Sequence, residues 1–120
     1  MLLNLSNHSV EKWPDLQKSE AEKRFGNVTD MPFPNIPPDW GKEQVESAAT
    51  EAFDKCAGLF PENENNAIHV MGEMTFTYAF VKLAKEKGVV CMASTTRRLV
   101  ETNDKGEKIS LFRFVQFREY

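Results

Sequence analysis

Three short stretches carry side chains able to hold or transform a polar ligand: Ser6-Asn7-His8, Gly72-Glu73-Met74-Thr75 and Ser94-Thr95-Thr96-Arg97-Arg98. Each follows an apolar run that reads as a strand. A histidine can move protons near neutral pH, so His8 is a candidate acid or base; taken alone, it is an exposed loop histidine. A glycine ahead of a helix start lets backbone N–H groups meet an anion, which makes Gly72 a candidate contact. Glu73 is awkward beside a phosphate and suits a base amino group or a ribose hydroxyl. Taken alone, this segment is a strand-to-helix turn capped by Thr75. It is not a phosphate-binding P-loop, because the Gly-Lys-Thr ending is absent, and it is not a dinucleotide fingerprint. Ser94 to Arg98 offers three hydroxyls and two guanidiniums, whose forks suit phosphate oxygens. Its competing reading is a solvated loop that opens a hairpin. His69, inside an apolar strand, reads as packing or a core hydrogen bond. No His/Cys/Asp cluster has metal-ligand spacing, and no Gly-x-Ser-x-Gly elbow occurs.

The elements that must position these residues alternate. Leu2, Leu3 and Leu5 begin a strand. Ser9 caps a helix that runs to Phe25, with Trp13-Pro14 in its first turn and Trp13, Leu16, Ala21 and Phe25 buried. Gly26 stops it. Val28 to Met31 is a second strand. Pro32, Pro34, Pro37 and Pro38 exclude helix and central strand and make a loop ending at Trp40-Gly41. Trp40 is read as core or as the lip of a ligand site. From Lys42, apolar residues recur at helical spacing to Leu59, and Pro61 with the Glu62–Asn66 run marks the exit. Ala67 to Met71 is a buried strand. A helix from about Thr75 to Lys87 follows, closed by Gly88. Val89 to Ala93 is a continuous apolar run suited to a strand covered on both faces. A hairpin then comprises Leu99 to Thr102, a turn at Asn103 to Gly106, and Lys108 to Phe117 with alternating faces.

Strand–helix alternation of this kind predicts an α/β domain with a mainly parallel sheet and helices on both faces. The expected architecture is a three-layer, Rossmann-like or flavodoxin-like fold with a C-terminal β-hairpin. In such sheets ligands bind beyond the carboxyl ends of the strands. The three polar segments then open on one edge, and that convergence is stronger than any segment alone.

The chain has 120 residues, 41% of them hydrophobic with nine Phe, enough for one packed core and so one domain over 1–120. The formal net charge is −3, which disfavours coating of long nucleic acid. Residues 1–93 carry nine Lys/Arg and 14 Asp/Glu, whereas residues 94–120 carry six and four, leaving a basic end on an acidic body. No apolar run approaches a membrane span. The start at Met1 shows no basic leader, and Cys56 and Cys91 form neither a disulfide framework nor a zinc ribbon. The expectation is a reduced, cytoplasmic domain.

The pieces Leu3-Asn4-Leu5-Ser6-Asn7-His8, Val70-Met71-Gly72-Glu73 and Ala93-Ser94-Thr95-Thr96-Arg97-Arg98, with the ending Phe112 to Tyr120, resemble small stand-alone CRISPR-associated proteins related to the CARF sensor domain. Several of these are ring nucleases. The resemblance implies a Rossmann-like homodimer that binds a cyclic oligoadenylate across its two-fold axis. It implies cleavage without metal or cofactor: the substrate's own ribose 2′-hydroxyl attacks the adjacent phosphorus and leaves a 2′,3′-cyclic phosphate. Such cleavage switches off type III CRISPR signalling. His8, Thr96 and Arg97 are then the expected catalytic side chains. Ser6, Asn7, Gly72, Glu73, Thr75, Ser94, Thr95 and Arg98 are the expected ligand contacts. Two alternatives stay open: a non-cutting sensor or sponge for the same ligand, and another nucleotide-binding Rossmann-like protein.

Overall fold

The computed structural model describes residues 1–62 and 64–120. The element order is β1 (Leu2–Ser6), α1 (Asp15–Phe25), β2 (Val28–Met31), α2 (Lys42–Ala57), β3 (Ala67–Met71), α3 (Met74–Glu86), β4 (Val90–Thr102) and β5 (Lys108–Glu119). The exit run read at Glu62–Asn66 includes position 63, which lies outside the described residues.

The strands form one mixed sheet in the order β2-β1-β3-β4-β5. β1 pairs in parallel with β2 and β3, and β3 with β4; β4 and β5 are antiparallel. The fold is therefore α/β, with a mainly parallel sheet and an antiparallel hairpin at one edge. Side chains alternate across each strand, so each buried strand feeds two cores. Leu3, Leu5, Ile68, Val70 and Cys91 pack beneath α2 and α3, against Val45, Phe53, Phe76 and Phe80. Leu2, Ala67 and Met92 pack on the other face beneath Trp13 and the α1 residues Ala21 and Phe25, joined by Phe114 and Phe117 of β5.

Two stretches differ from the sequence reading. No single helix runs from Ser9. A 3-10 turn at Val10–Lys12 comes first, and Pro14 is the N-cap of α1 with extended backbone at φ −63° and ψ 154°. Proline without an N–H suits a helix boundary. The shift rotates the helix, so Leu16 is 53% exposed and Gln17 is buried instead.

The second difference matters for chemistry. Ser94 to Arg98 is not a loop, because β4 continues unbroken to Thr102. The strand expected at 99–102 is its outer half, and among the described residues the sheet has five strands rather than six. The hydroxyls suggested a loop. Two of them belong to threonines, however, whose β-branching favours strand, and β5 pairs along the whole length. The pairing shifts between Thr95 and Thr96: Thr95 faces Gln116 while Thr96 faces Phe114. Val115 is thus an extra residue, a β-bulge. It breaks the simple alternation expected for the last strand and puts Phe114 and Phe117 in the same core.

Candidate functional site

An open cleft of about 460 Å³ lies at the carboxyl ends of β1 and β3 and against the middle of β4, on the α1 side of the sheet. Among the expected residues, Ser6, Asn7, His8, Gly72, Ser94 and Thr96 line it. Each is there for a local reason. β1 ends at Ser6, so Asn7 and His8 turn over the sheet edge. β4 does not end, and its alternation brings Ser94 and Thr96 to one face, where they sit opposite Phe117 and Phe114 of β5. Lys12 supplies a cation to the lining, from the 3-10 turn. Trp13, Gln17, Phe112 and Phe114 supply a half-apolar wall.

Beneath the cleft runs a connected polar row. Asn4 and His69 face each other across β1 and β3 and are 1% and 2% exposed. Asn4 Nδ2 donates to Asp30 Oδ1 and to the His8 carbonyl, both at 2.8 Å. Asp30 also accepts the Val10 N–H at 3.0 Å, pinning the 3-10 turn. Asn4 Oδ1 accepts the Ser6 hydroxyl at 2.8 Å and lies 2.9 Å from His69 Nδ1. His69 Nε2 lies 3.2 Å from Ser94 Oγ. Edge-on contacts to Trp13 and Phe117, with ring centroids 5.2 and 5.7 Å away, hold the imidazole. Burial pushes the His69 pKa down to about 4, because desolvation disfavours the charged form. The ring is neutral at neutral pH.

Buried polar side chains need partners, and here the partners form a continuous path from Asp30 to the cleft surface. Reading from sequence missed Asn4, Asp30, Lys12 and Gln17, and took His69 only as a core residue. A signal was available. Asn4 sits between Leu3 and Leu5, and His69 between Ile68 and Val70. A polar residue amid buried neighbours on adjacent parallel strands marks a row on one sheet face.

The remaining expected residues do not line the cleft. Glu73 is the N-cap of α3. Its carboxylate accepts the Thr75 hydroxyl at 2.7 Å and the backbone N–H groups of Phe76 and Thr75 at 2.8 and 3.1 Å. Those bonds lower its pKa, the Thr75 hydroxyl contributing most. The helix N-terminus is thus already occupied by a carboxylate, and Thr75 is engaged with it. A Cβ at Gly72 would run into the Phe33 ring, so the glycine lets the proline-rich loop pack over the end of β3. Thr95 donates to the Gln116 carbonyl at 3.2 Å and accepts its N–H at 3.3 Å, which braces the bulge. Arg98 shares the cleft face of the ribbon but donates to Ser110 Oγ at 3.0 Å through Nη2. Arg97 lies on the opposite face, directly across from Arg113.

A larger cleft of about 640 Å³ opens between α2 and α3, lined in part by Trp40, Val45, Tyr78 and Leu83. Trp40 is thus at a lip, but of a different cavity from the one holding the polar row. Its charged groups, including Lys42, Glu46, Lys82 and Glu86, stand on exposed helix surface. Cys56 and Cys91 are buried free thiols, and desolvation raises their pKa values to about 11 and about 12, which leaves them unreactive. Among the described residues, no group of three or more His, Cys, Asp or Glu side chains could hold a metal ion. None of the described helices is long and apolar enough to cross a membrane.

Compared with known proteins, residues 1–118 match the family model described as Uncharacterized protein MJ1673 family. No curated protein and no solved structure matches the chain.

Proposed function

The chain belongs to the MJ1673 family, and from the geometry of its cleft we propose that it is a dimeric ring nuclease acting on cyclic oligoadenylate. The observation that carries the reading is the convergence of Ser6, Asn7, His8, Ser94, Thr96 and Lys12 on one cleft at the carboxyl edge of the sheet. The fold, in this reading, is a three-layer Rossmann-like domain of flavodoxin-like order. The strand order turns back between β1 and β3, and such a switch point is where open α/β sheets bind ligands.

The reaction fits these groups. The nucleophile is the substrate's 2′-hydroxyl, so the protein has to hold the ribose in line and stabilise charge on phosphorus. Orientation supplies several kcal/mol of the barrier, and each donor aimed at the developing charge supplies about 3 kcal/mol. Lys12 and Thr96 face the bound phosphate, Ser6 and Asn7 hold the sugar edge, and Phe112 and Phe114 offer apolar surface to a base. His8, at the open mouth, protonates the leaving 5′-oxygen. Arg97 stands on the other face of the ribbon and meets phosphate only across a dimer axis. Glu73 and Thr75 cap a helix and are left out of the ligand shell.

The protruding β4–β5 ribbon supports the dimer, because it exposes Val100, Ile109, Leu111, Phe112 and Val115. A lone two-stranded ribbon is marginal in water, and a second copy would cover it. The buried free thiols fit a reducing, cytoplasmic setting. The purpose of the reaction would be to end type III CRISPR signalling.

The test is incubation of the purified protein with cyclic tri-, tetra- and hexa-adenylate in EDTA, with products separated and weighed. A linear product ending in a 2′,3′-cyclic phosphate is expected. Binding of an intact ring would replace the reading with a sensor or sponge, and absence of both would remove it.

A further inference from the structure

We propose that Asn4, His69 and Ser94 form a proton relay in which Ser94 Oγ takes the proton of a substrate hydroxyl bound in the cleft and passes its own to His69 Nε2. The inference rests on the ribonucleotide reading above and assigns the base of that reaction.

Hydrogen-bond polarity carries it. The Asn4 amide can be oriented only one way. Its nitrogen faces two acceptors, the Asp30 carboxylate and the His8 carbonyl, so Nδ2 must be there and Oδ1 must face His69. An amide oxygen only accepts, so His69 carries its proton on Nδ1. Nε2 then holds the lone pair and faces Ser94 Oγ. Ser94 Oγ also lies 3.1 Å from Met71 Sδ, but a thioether is a weak acceptor and the imidazole nitrogen takes the proton. With its hydrogen turned inward, Ser94 shows only lone pairs to the cleft. It therefore recognises a donor, such as a ribose hydroxyl, and not a phosphate oxygen. This is nucleophile–base–orienter logic with the attacking hydroxyl supplied by the substrate.

The step balances. The 2′-oxygen bonds to phosphorus as its proton moves to Ser94 Oγ and the Ser94 proton moves to His69 Nε2. The phosphorus–5′-oxygen bond breaks, and the leaving oxygen takes a proton from His8. His69 returns its proton to Ser94, Ser94 gives one to water, and water reprotonates His8. No oxidant, metal or net water is consumed. The transient imidazolium is faced by the Asp30 carboxylate, one hydrogen bond beyond Asn4. Ser94 is the catalytic residue here, and His69 and Asn4 position and polarise it.

Two measurements test it. Nitrogen-15 NMR of the full chain reports the tautomer, and with two histidines in the sequence a His8→Gln variant assigns His69. The expected result is a proton on Nδ1 and a bare Nε2 at neutral pH; a proton on Nε2 overturns the relay whatever the substrate. Kinetics on the cleaved ring then compare Ser94→Ala and Ser94→Thr. Ser94→Ala should lower kcat on the order of 100-fold or more with a much smaller loss of ring affinity, and Ser94→Thr should restore part of the rate. Full turnover in Ser94→Ala overturns the relay while leaving the ring-nuclease reading intact. A wild-type protein that cuts no ring overturns the reading, and the relay with it.

Discussion

His69, 2% exposed, lies within hydrogen-bond distance of Asn4 on one side and Ser94 on the other. Its neighbours Ile68 and Val70 mark a buried strand, which was legible, but its role depends on Asn4, 65 positions away in sequence. Nothing local announces that partner; parallel pairing of β1 with β3 creates it. The burial has a measurable consequence. The folded pKa of about 4 lies below the ordinary 6.5, so the unfolded chain binds the extra proton. Stability from this source is complete above pH 6.5, declines as pH falls toward 4, and is flat below that. The full effect is on the order of 3 kcal/mol. Thermal melts should show a steeper loss between pH 6.5 and 4 in wild type than in His69→Gln. Equal slopes would mean that the ring is not held neutral by burial.

At the scale of elements, β3 has the bounds read from the sequence, because an apolar run between polar breaks leaves little freedom. β4 did not. Ser94 to Arg98 has loop-like chemistry, and pairing with β5, helped by the β-branched Thr95 and Thr96, makes it extended. The α3 start was legible as a helix start, yet Glu73 rather than Thr75 caps it. That reassignment predicts a pH signature. The carboxylate pKa is lowered, so its contribution is present above the unfolded value and lost as pH falls through the folded one. Glu73→Gln should melt below wild type at pH 7, with the gap closing at acidic pH, and ring cleavage should persist. Gly72→Ala is a different case. Its methyl would displace the Phe33 ring, and overpacking of this kind costs roughly 1–3 kcal/mol. Chemical denaturation should show the loss, and Phe33→Ala in the same chain should recover part of it.

Over the whole molecule, the shape departs from a sphere. The radius of gyration is 16.1 Å, against about 14 Å expected for this length, and the long dimension is 50 Å. The excess is the β4–β5 ribbon, since β3 pairs with β4 only from Val90 to Met92. From there outward no third strand among the described residues pairs with the ribbon. Phe112, 66% exposed on it, also lines the cleft. In the proposed dimer, the assembly surface and the ligand site share that wall. Phe112→Ser should shift sedimentation from dimer to monomer and cut ring cleavage together. Loss of cleavage with an intact dimer would assign Phe112 to the ligand alone.

In the proposed reaction the cleft turns the ligand's own hydroxyl into the nucleophile. The most direct measurement compares a cleaved cyclic oligoadenylate with the same ring carrying a single 2′-deoxy sugar, in EDTA, by mass of the products. Both rings should bind tightly, with cleavage at every linkage of the first and none at the deoxy linkage of the second. Cleavage at that linkage would mean that the nucleophile comes from water or from the protein and not from the ring.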